Sequence, residues 1–182
     1  LESKRLHQIL NHFIENENIP HPLNYQCEVP LKGQLHHAKF SLRIDRLDQL
    51  SPSTYRVIDF KTGTVNCHHW LHPRLLEPQL PLYSVLSENV KEIAFITLKP
   101  DQSRYLSLSF NKNEISNLGW KIPESNLKTC NEVKAFWNEA LTTLINEYYN
   151  GYNAVKPHPD SQVCQTCHLK SLCRIYDPRS IP

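Results

Sequence analysis

The chain has 182 residues, a length that suits one domain with a small appendage and can bury a real core. Apolar residues make up 40% and charged residues 21%. That balance excludes a disordered chain, and no apolar run reaches the ~18–20 residues that span a bilayer, so no membrane partner is expected. The net charge of +2 permits an acidic partner without demanding one. No secretory signal opens the sequence and methionine is absent, so the chain reads as a piece of a longer protein. Its six cysteines lack the spacing of a small disulfide-stapled fold, and a reducing, cytoplasmic compartment is expected.

Leu6, Ile9, Leu10, Phe13 and Ile14 recur at helical spacing, which predicts an amphipathic helix over about residues 2–17, ended by Pro20 and Pro22. Tyr25 to Leu31 reads as a strand with Gly33 marking the turn after it. Ala38, Phe40, Leu42 and Ile44 alternate with Lys39, Ser41, Arg43 and Asp45, a strand with one apolar face. Ser51-Pro52-Ser53 is a turn, and Tyr55 to Phe60 a third strand that Thr62-Gly63 breaks. A helix follows over about residues 77–88, with Pro78 suited to its first turn. Glu92 to Leu98 and Arg104 to Phe110 are two further strands. The stretch from Asn111 to Lys128 is polar and irregular. Val133, Phe136, Trp137, Ala140, Leu141, Leu144, Ile145, Tyr148 and Tyr149 then form the longest helical stripe, which Gly151 stops. The order predicts an α/β core over residues 1–156, a mixed sheet flanked by helices, with a cysteine-rich tail over residues 157–182.

A turn centred on Pro52 sets Asp45 opposite Asp59 and Ile44 opposite Phe60. Asp45, Asp59 and Lys61 then converge on one face, while Ile44 and Phe60 look into the core. Two opposed carboxylates repel. A hard divalent cation such as Mg²⁺ or Mn²⁺ removes that cost and can activate water at a phosphodiester. Lys61 beside it can orient or deprotonate the water, or neutralise developing charge. The other reading of the same residues is a solvated hairpin face.

Arg43-Ile44-Asp45-Arg46-Leu47-Asp48, Ile58-Asp59-Phe60-Lys61-Thr62-Gly63 and Gln79-Leu80-Pro81-Leu82-Tyr83 resemble three ordered motifs of the PD-(D/E)xK nuclease superfamily. The match is to its RecB-like and AddB-like exonuclease branch, especially probable DNA repair exonucleases. Cys164-x2-Cys167-x5-Cys173 resembles the iron–sulfur cysteines of AddB-type members. Together the motifs cover about Glu28 to Arg174. The resemblance implies a restriction-endonuclease-like fold and a divalent-metal-dependent DNA nuclease, acting as the exonuclease domain of a repair or recombination protein beside a helicase-like subunit or segment. It implies that Asp45, Asp59 and the carbonyl of Phe60 hold Mg²⁺ or Mn²⁺. It makes Asp59 and Lys61 the Asp-x-Lys pair, and has Gln79 and Tyr83 face DNA or brace the site from one helix face. Trp70 and Arg74 match a loop Trp and Arg that would meet the DNA strand by stacking and phosphate pairing. Arg46 could reach a phosphate, though it and Asp48 also suit ion pairs. Glu28 is a weaker candidate near the site, with capping of a strand edge as its other reading.

Two positions depart from the pattern. Leu42 stands where many members have Gly, which alters packing more than metal chemistry. Members also carry a metal-ligand His on a helix well before the first strand. His7 is too close to Glu28 for it, which implies that this motif lies upstream of Leu1. The fourth cluster cysteine of the resembled proteins likewise lies far upstream. A 4Fe–4S cluster is therefore expected in the full-length protein and incomplete in this chain. Cys-x2-Cys-His ending at His168 nominally suits Zn²⁺ or c-type haem attachment. Cys67, His68, His69 and His72 suggest a metal but sit in a Pro-bounded loop and read as solvent-facing; Cys27 and Cys130 read as isolated thiols. Two rival functions are a non-catalytic nucleic-acid-binding module on the same fold and a zinc-stabilised interaction domain.

Overall fold

In the computed structural model, residues 2–16, 19–100, 103–111, 114–119, 127–152 and 163–173 are described. The expected boundary at residues 156–157 lies outside them. The elements run α1 (Glu2–Asn16), β1 (Asn24–Leu35), β2 (Ala38–Ser51), β3 (Thr54–Lys61), a 3-10 turn (Cys67–Leu71), α2 (Gln79–Leu86), β4 (Val90–Thr97), β5 (Arg104–Asn111), β6 (Glu114–Leu118), α3 (Cys130–Tyr149), α4 (Val163–Thr166) and α5 (Lys170–Cys173). The strands among the described residues form one mixed sheet in the order β1-β2-β3-β4-β5-β6. Neighbours are antiparallel except β3 and β4, which run parallel. Parallel neighbours need a crossover connection, and the stretch that carries α2 supplies it.

The β2–β3 hairpin pairs Arg46 with Ile58, Leu47 with Val57, Asp48 with Arg56 and Gln49 with Tyr55. That is the register a turn centred on Pro52 predicts, and a shift between Gln49 and Ser51 closes the turn. Two cores follow from the alternation of side chains along the strands. Val57, Ile93 and Phe95 point to the face covered by α2 and α3 and cluster with Leu80, Tyr83, Trp70, Val133 and Trp137. Ile58, Ala94, Ile96 and Tyr105 point to the other face, where Phe13 of α1 and Ile19 pack on them. At about 1.5–3 kcal/mol for each large apolar side chain fully buried, the first core, which holds more of them, contributes most of the hydrophobic burial. α3 starts on a capping box: Thr129 Oγ1 accepts from the Glu132 N–H, and the Glu132 carboxylate accepts from the Thr129 N–H.

Three expectations need correction. Phe60 does not enter the core and is 40% exposed, although Ile44 is buried. Phe60 shares the face of Ile58, but the cover from Phe13, Ile19 and Leu98 does not extend to it. Gly33 is not a turn. It lies within β1 opposite Phe40, where a Cβ would come within 2.9 Å of Leu86, so its lack of a side chain lets α2 approach β1. The chain reverses instead at His36, whose φ is +52°. Finally, β6 forms in the stretch read as irregular. It pairs only with β5, so the backbone ladder holds it without an apolar alternation of its own.

Candidate functional site

β2 and β3 bring the carboxylates together. The last ladder pair on that side is Arg46 with Ile58, and Asp45 and Asp59 are one step beyond it. The Phe60 N–H donates to Asp45 Oδ2 at 3.1 Å and ties the two strands there. Asp59 shares the face of Val57, so it points toward α2, and it is 4% exposed. Lys61 Nζ lies 2.9 Å from Asp59 Oδ2 and 3.9 Å from Glu77 Oε2. The same ammonium sits 5.7 Å above the Phe95 ring centre.

The electrostatics follow from this crowding. Burial raises the Asp59 carboxyl above the usual carboxylate range. Lys61 opposes the shift by hydrogen bond and charge, and Asp45 and Glu77 add to it. Burial alone would lower the Lys61 pKa. The hydrogen bond and charge of Asp59, with Glu77 and Asp45, outweigh it and hold the lysine above its ordinary value. Lys61 is therefore an ammonium at neutral pH. Two carboxylates fit a hard cation that keeps several waters, and a nearly buried aspartate otherwise bears a desolvation cost that a cation offsets.

α2 reaches the same region from the other side. Gln79 Nε2 donates to Tyr83 Oη at 3.0 Å, and Tyr83 Oη donates to the Arg43 carbonyl at 2.8 Å. The four-residue spacing puts both on one helix turn, and the chain of bonds fastens α2 to β2 two residues before Asp45. Tyr83 is 2% exposed, which makes it a brace between elements. Burial raises its phenol pKa, so it stays a proton donor.

Other expected residues stand elsewhere. Trp70 is fully buried and stacks on Phe95 with ring centres 4.9 Å apart, and its carbonyl accepts from Trp137 Nε1. Its ring is part of the core and cannot stack on a base, which corrects the expectation of DNA contact. Arg74 Nη1 pairs with Glu147 at 3.0 Å and fastens the loop to α3. Arg46 is paired rather than turned to a phosphate: its Nε lies 2.7 Å from Asp48 Oδ1, and its guanidinium covers the Tyr25 ring at 4.9 Å. Glu28 has φ +55° and interrupts the β1–β2 ladder between the pairs Cys27–Arg46 and Val29–Ile44, opposite Asp45. Its Oε2 meets Arg43 Nε at 2.7 Å. His7 is exposed on α1, the helix whose Phe13 packs on the face opposite Asp59.

The cysteines form no ligand set. Cys164, Cys167 and Cys173 are free and partly exposed around α4 and α5. Cys167 Sγ accepts from the Leu169 N–H, and Cys173 Sγ donates to the Lys170 carbonyl. Among the described residues no three His, Cys, Asp or Glu side chains gather to hold a metal. Cys67 is not solvent-facing as expected: it is 2% exposed, and burial pushes its thiol up to about 12. Cys130 is buried too, and Cys27 is exposed.

Two residues of consequence carried no motif. Glu77 lies before α2 and enters the site only through the crossover. Arg56 sits in an apolar strand and is fully buried, with Nη2 2.5 Å from Asp48 Oδ2 and 2.8 Å from the Pro20 carbonyl. Its position directly opposite Asp48 in the predicted register was the one available signal.

A sequence profile described as PD-(D/E)XK nuclease superfamily matches residues 2–174 of the chain. No curated protein matches it. A solved structure described as "Crystal structure of SSO0001" is similar over 99% of this chain and 70% of its own, at 16% identity and a TM-score of 0.45.

Proposed function

The chain belongs to the PD-(D/E)XK nuclease superfamily, whose nucleases use divalent metals, and we propose that it hydrolyses DNA as the exonuclease domain of a repair or recombination protein. The observation that carries this reading is the convergence of Asp45, buried Asp59 and Lys61 at one end of the β2–β3 hairpin. Asp45 and Asp59, with the Phe60 carbonyl, would hold Mg²⁺ or Mn²⁺. Bound there, the cation supplies an activated water and neutralises charge on the phosphoryl group. Lys61, paired with Asp59, would orient or deprotonate the attacking water or donate to a phosphate oxygen as negative charge develops. Gln79 and Tyr83 keep α2 against β2, so that Asp45 holds its place.

The finer assignment rests on the motifs. Gln79 with Tyr83 and the Cys164, Cys167 and Cys173 spacing favour the RecB/AddB-like branch, which works beside a helicase-like subunit or segment. The same spacing suits a 4Fe–4S cluster, with Cys164, Cys167 and Cys173 as three of its ligands. The free cysteines suit a cytoplasmic location. No helix among the described residues is long and apolar enough to cross a membrane.

The test is cleavage of end-labelled single- and double-stranded DNA with Mg²⁺ or Mn²⁺, using the full-length parent and its Lys61→Ala variant. Metal-dependent shortening from an end, reduced at least a hundredfold by Lys61→Ala, is the expected result. DNA bound but never cut would move the assignment to a binding module.

A further inference from the structure

Lys61 Nζ is bracketed by two unlike carboxylates, Asp59 at 2.9 Å and Glu77 at 3.9 Å. The Asp59 side chain is 5% exposed and belongs to the pair assigned to the metal; the Glu77 side chain is 37% exposed. The one ion pair of Glu77 among the described residues is with Lys61. A divalent cation drawing on the Asp59 carboxylate competes for the charge that holds Lys61, and it repels the ammonium directly. Lysine is a point charge on a flexible stem, and this one is 28% exposed, so it can swing outward. A second carboxylate, that of Glu77, already lies within reach of the same ammonium.

We propose that Glu77 is a positioning residue that keeps the Lys61 ammonium at the site while Asp59 is committed to a divalent cation. The proposal rests on the reading of Asp45 and Asp59 as a metal pair. Glu77 acts through Lys61 and touches neither the cation nor the DNA. The half-exposed position before α2 suits this role: it lets the carboxylate follow the lysine.

The test uses chain labelled with ¹⁵N-lysine, because an ammonium held by a carboxylate exchanges its protons slowly enough to give an NMR signal. Lys61→Gln assigns the signal. With saturating Mg²⁺, the wild-type signal should persist, vanish in Glu77→Gln and return in part in Glu77→Asp. Without Mg²⁺ it should persist in all three, because Asp59 still holds the lysine. Calorimetry should give Mg²⁺ affinities within twofold across the set. An unchanged signal in Glu77→Gln with Mg²⁺, or no signal in the loaded wild type, overturns the proposal. A tenfold loss of Mg²⁺ affinity in Glu77→Gln also overturns it, because Glu77 would then be a ligand. Absence of Mg²⁺ binding by the wild type removes the metal reading itself and the proposal with it, and calorimetry on that one sample separates this failure from the others.

Discussion

Asp59 is 4% exposed, and a carboxylate in that position costs the unliganded protein stability. Its pKa is raised in the folded state, first by burial, so its favourable contribution is fully present below the ordinary carboxylate range and is lost as pH rises through the folded value. At pH 7 the charged form weighs against folding. Asp59→Asn should therefore stabilise the metal-free protein by about 1 kcal/mol at pH 7, with the gain vanishing in acid, as urea denaturation across pH would show. The same shift sets the metal's pH dependence. Protons compete for Asp59, so Mn²⁺ affinity should fall on acidification with a midpoint above ~4, the usual aspartate value. A flat affinity down to pH 4 would remove Asp59 from the ligands. At this scale the sequence was informative where spacing spoke, in Asp45, Asp59 and Lys61. It was silent on Glu77, which has no fixed offset from the other site residues, and misleading on Trp70. An aromatic residue in a polar loop looks available, yet this one fills the space between Phe95 and α3.

Elements place these residues more firmly than loops do. The β2–β3 register was legible because Pro52 fixes the turn and apolar residues alternate on both sides of it. Phe60 shows the limit of that argument: period-two alternation says which side chains share a face but not how far a helix covers it. β6 was illegible because an edge strand needs only the ladder of its neighbour. α2 is fastened to β2 through Tyr83 Oη and the Arg43 carbonyl. Tyr83→Phe removes that bond and leaves the carbonyl without its donor. It should cost about 1–2 kcal/mol in urea denaturation and weaken Mn²⁺ binding without abolishing it, because Asp45 loses its support rather than its oxygens. A loss of binding as complete as that of Asp59→Ala would make Tyr83 more than a brace.

The whole molecule sets two differently built faces on one sheet. The face under α2 and α3 is apolar around the two buried tryptophans and carries the candidate site at its edge. The face under α1 holds a buried ionic group: Arg56 meets Asp48, the Pro20 carbonyl and Glu92, and Glu92 accepts from Tyr105. Arg46 closes the group from outside through Asp48. Sequence reading takes a charged residue in a strand as solvent-facing, and only the pairing of Asp48 with Arg56 hinted otherwise. Removing one member leaves the other charge buried and unpaired. Asp48→Ala should cost about 3–5 kcal/mol, read as a drop in the denaturation midpoint, whereas Arg46→Ala on the rim should cost under about 1 kcal/mol. Equal losses would mean that the group is solvated.

The central claim is that Asp45 and Asp59 form one divalent-metal site, and calorimetry of Mn²⁺ binding to this chain tests it most directly. One site is expected in the wild type, lost in Asp45→Ala and in Asp59→Ala and kept in Lys61→Ala. Undiminished Mn²⁺ binding by Asp59→Ala would contradict the account.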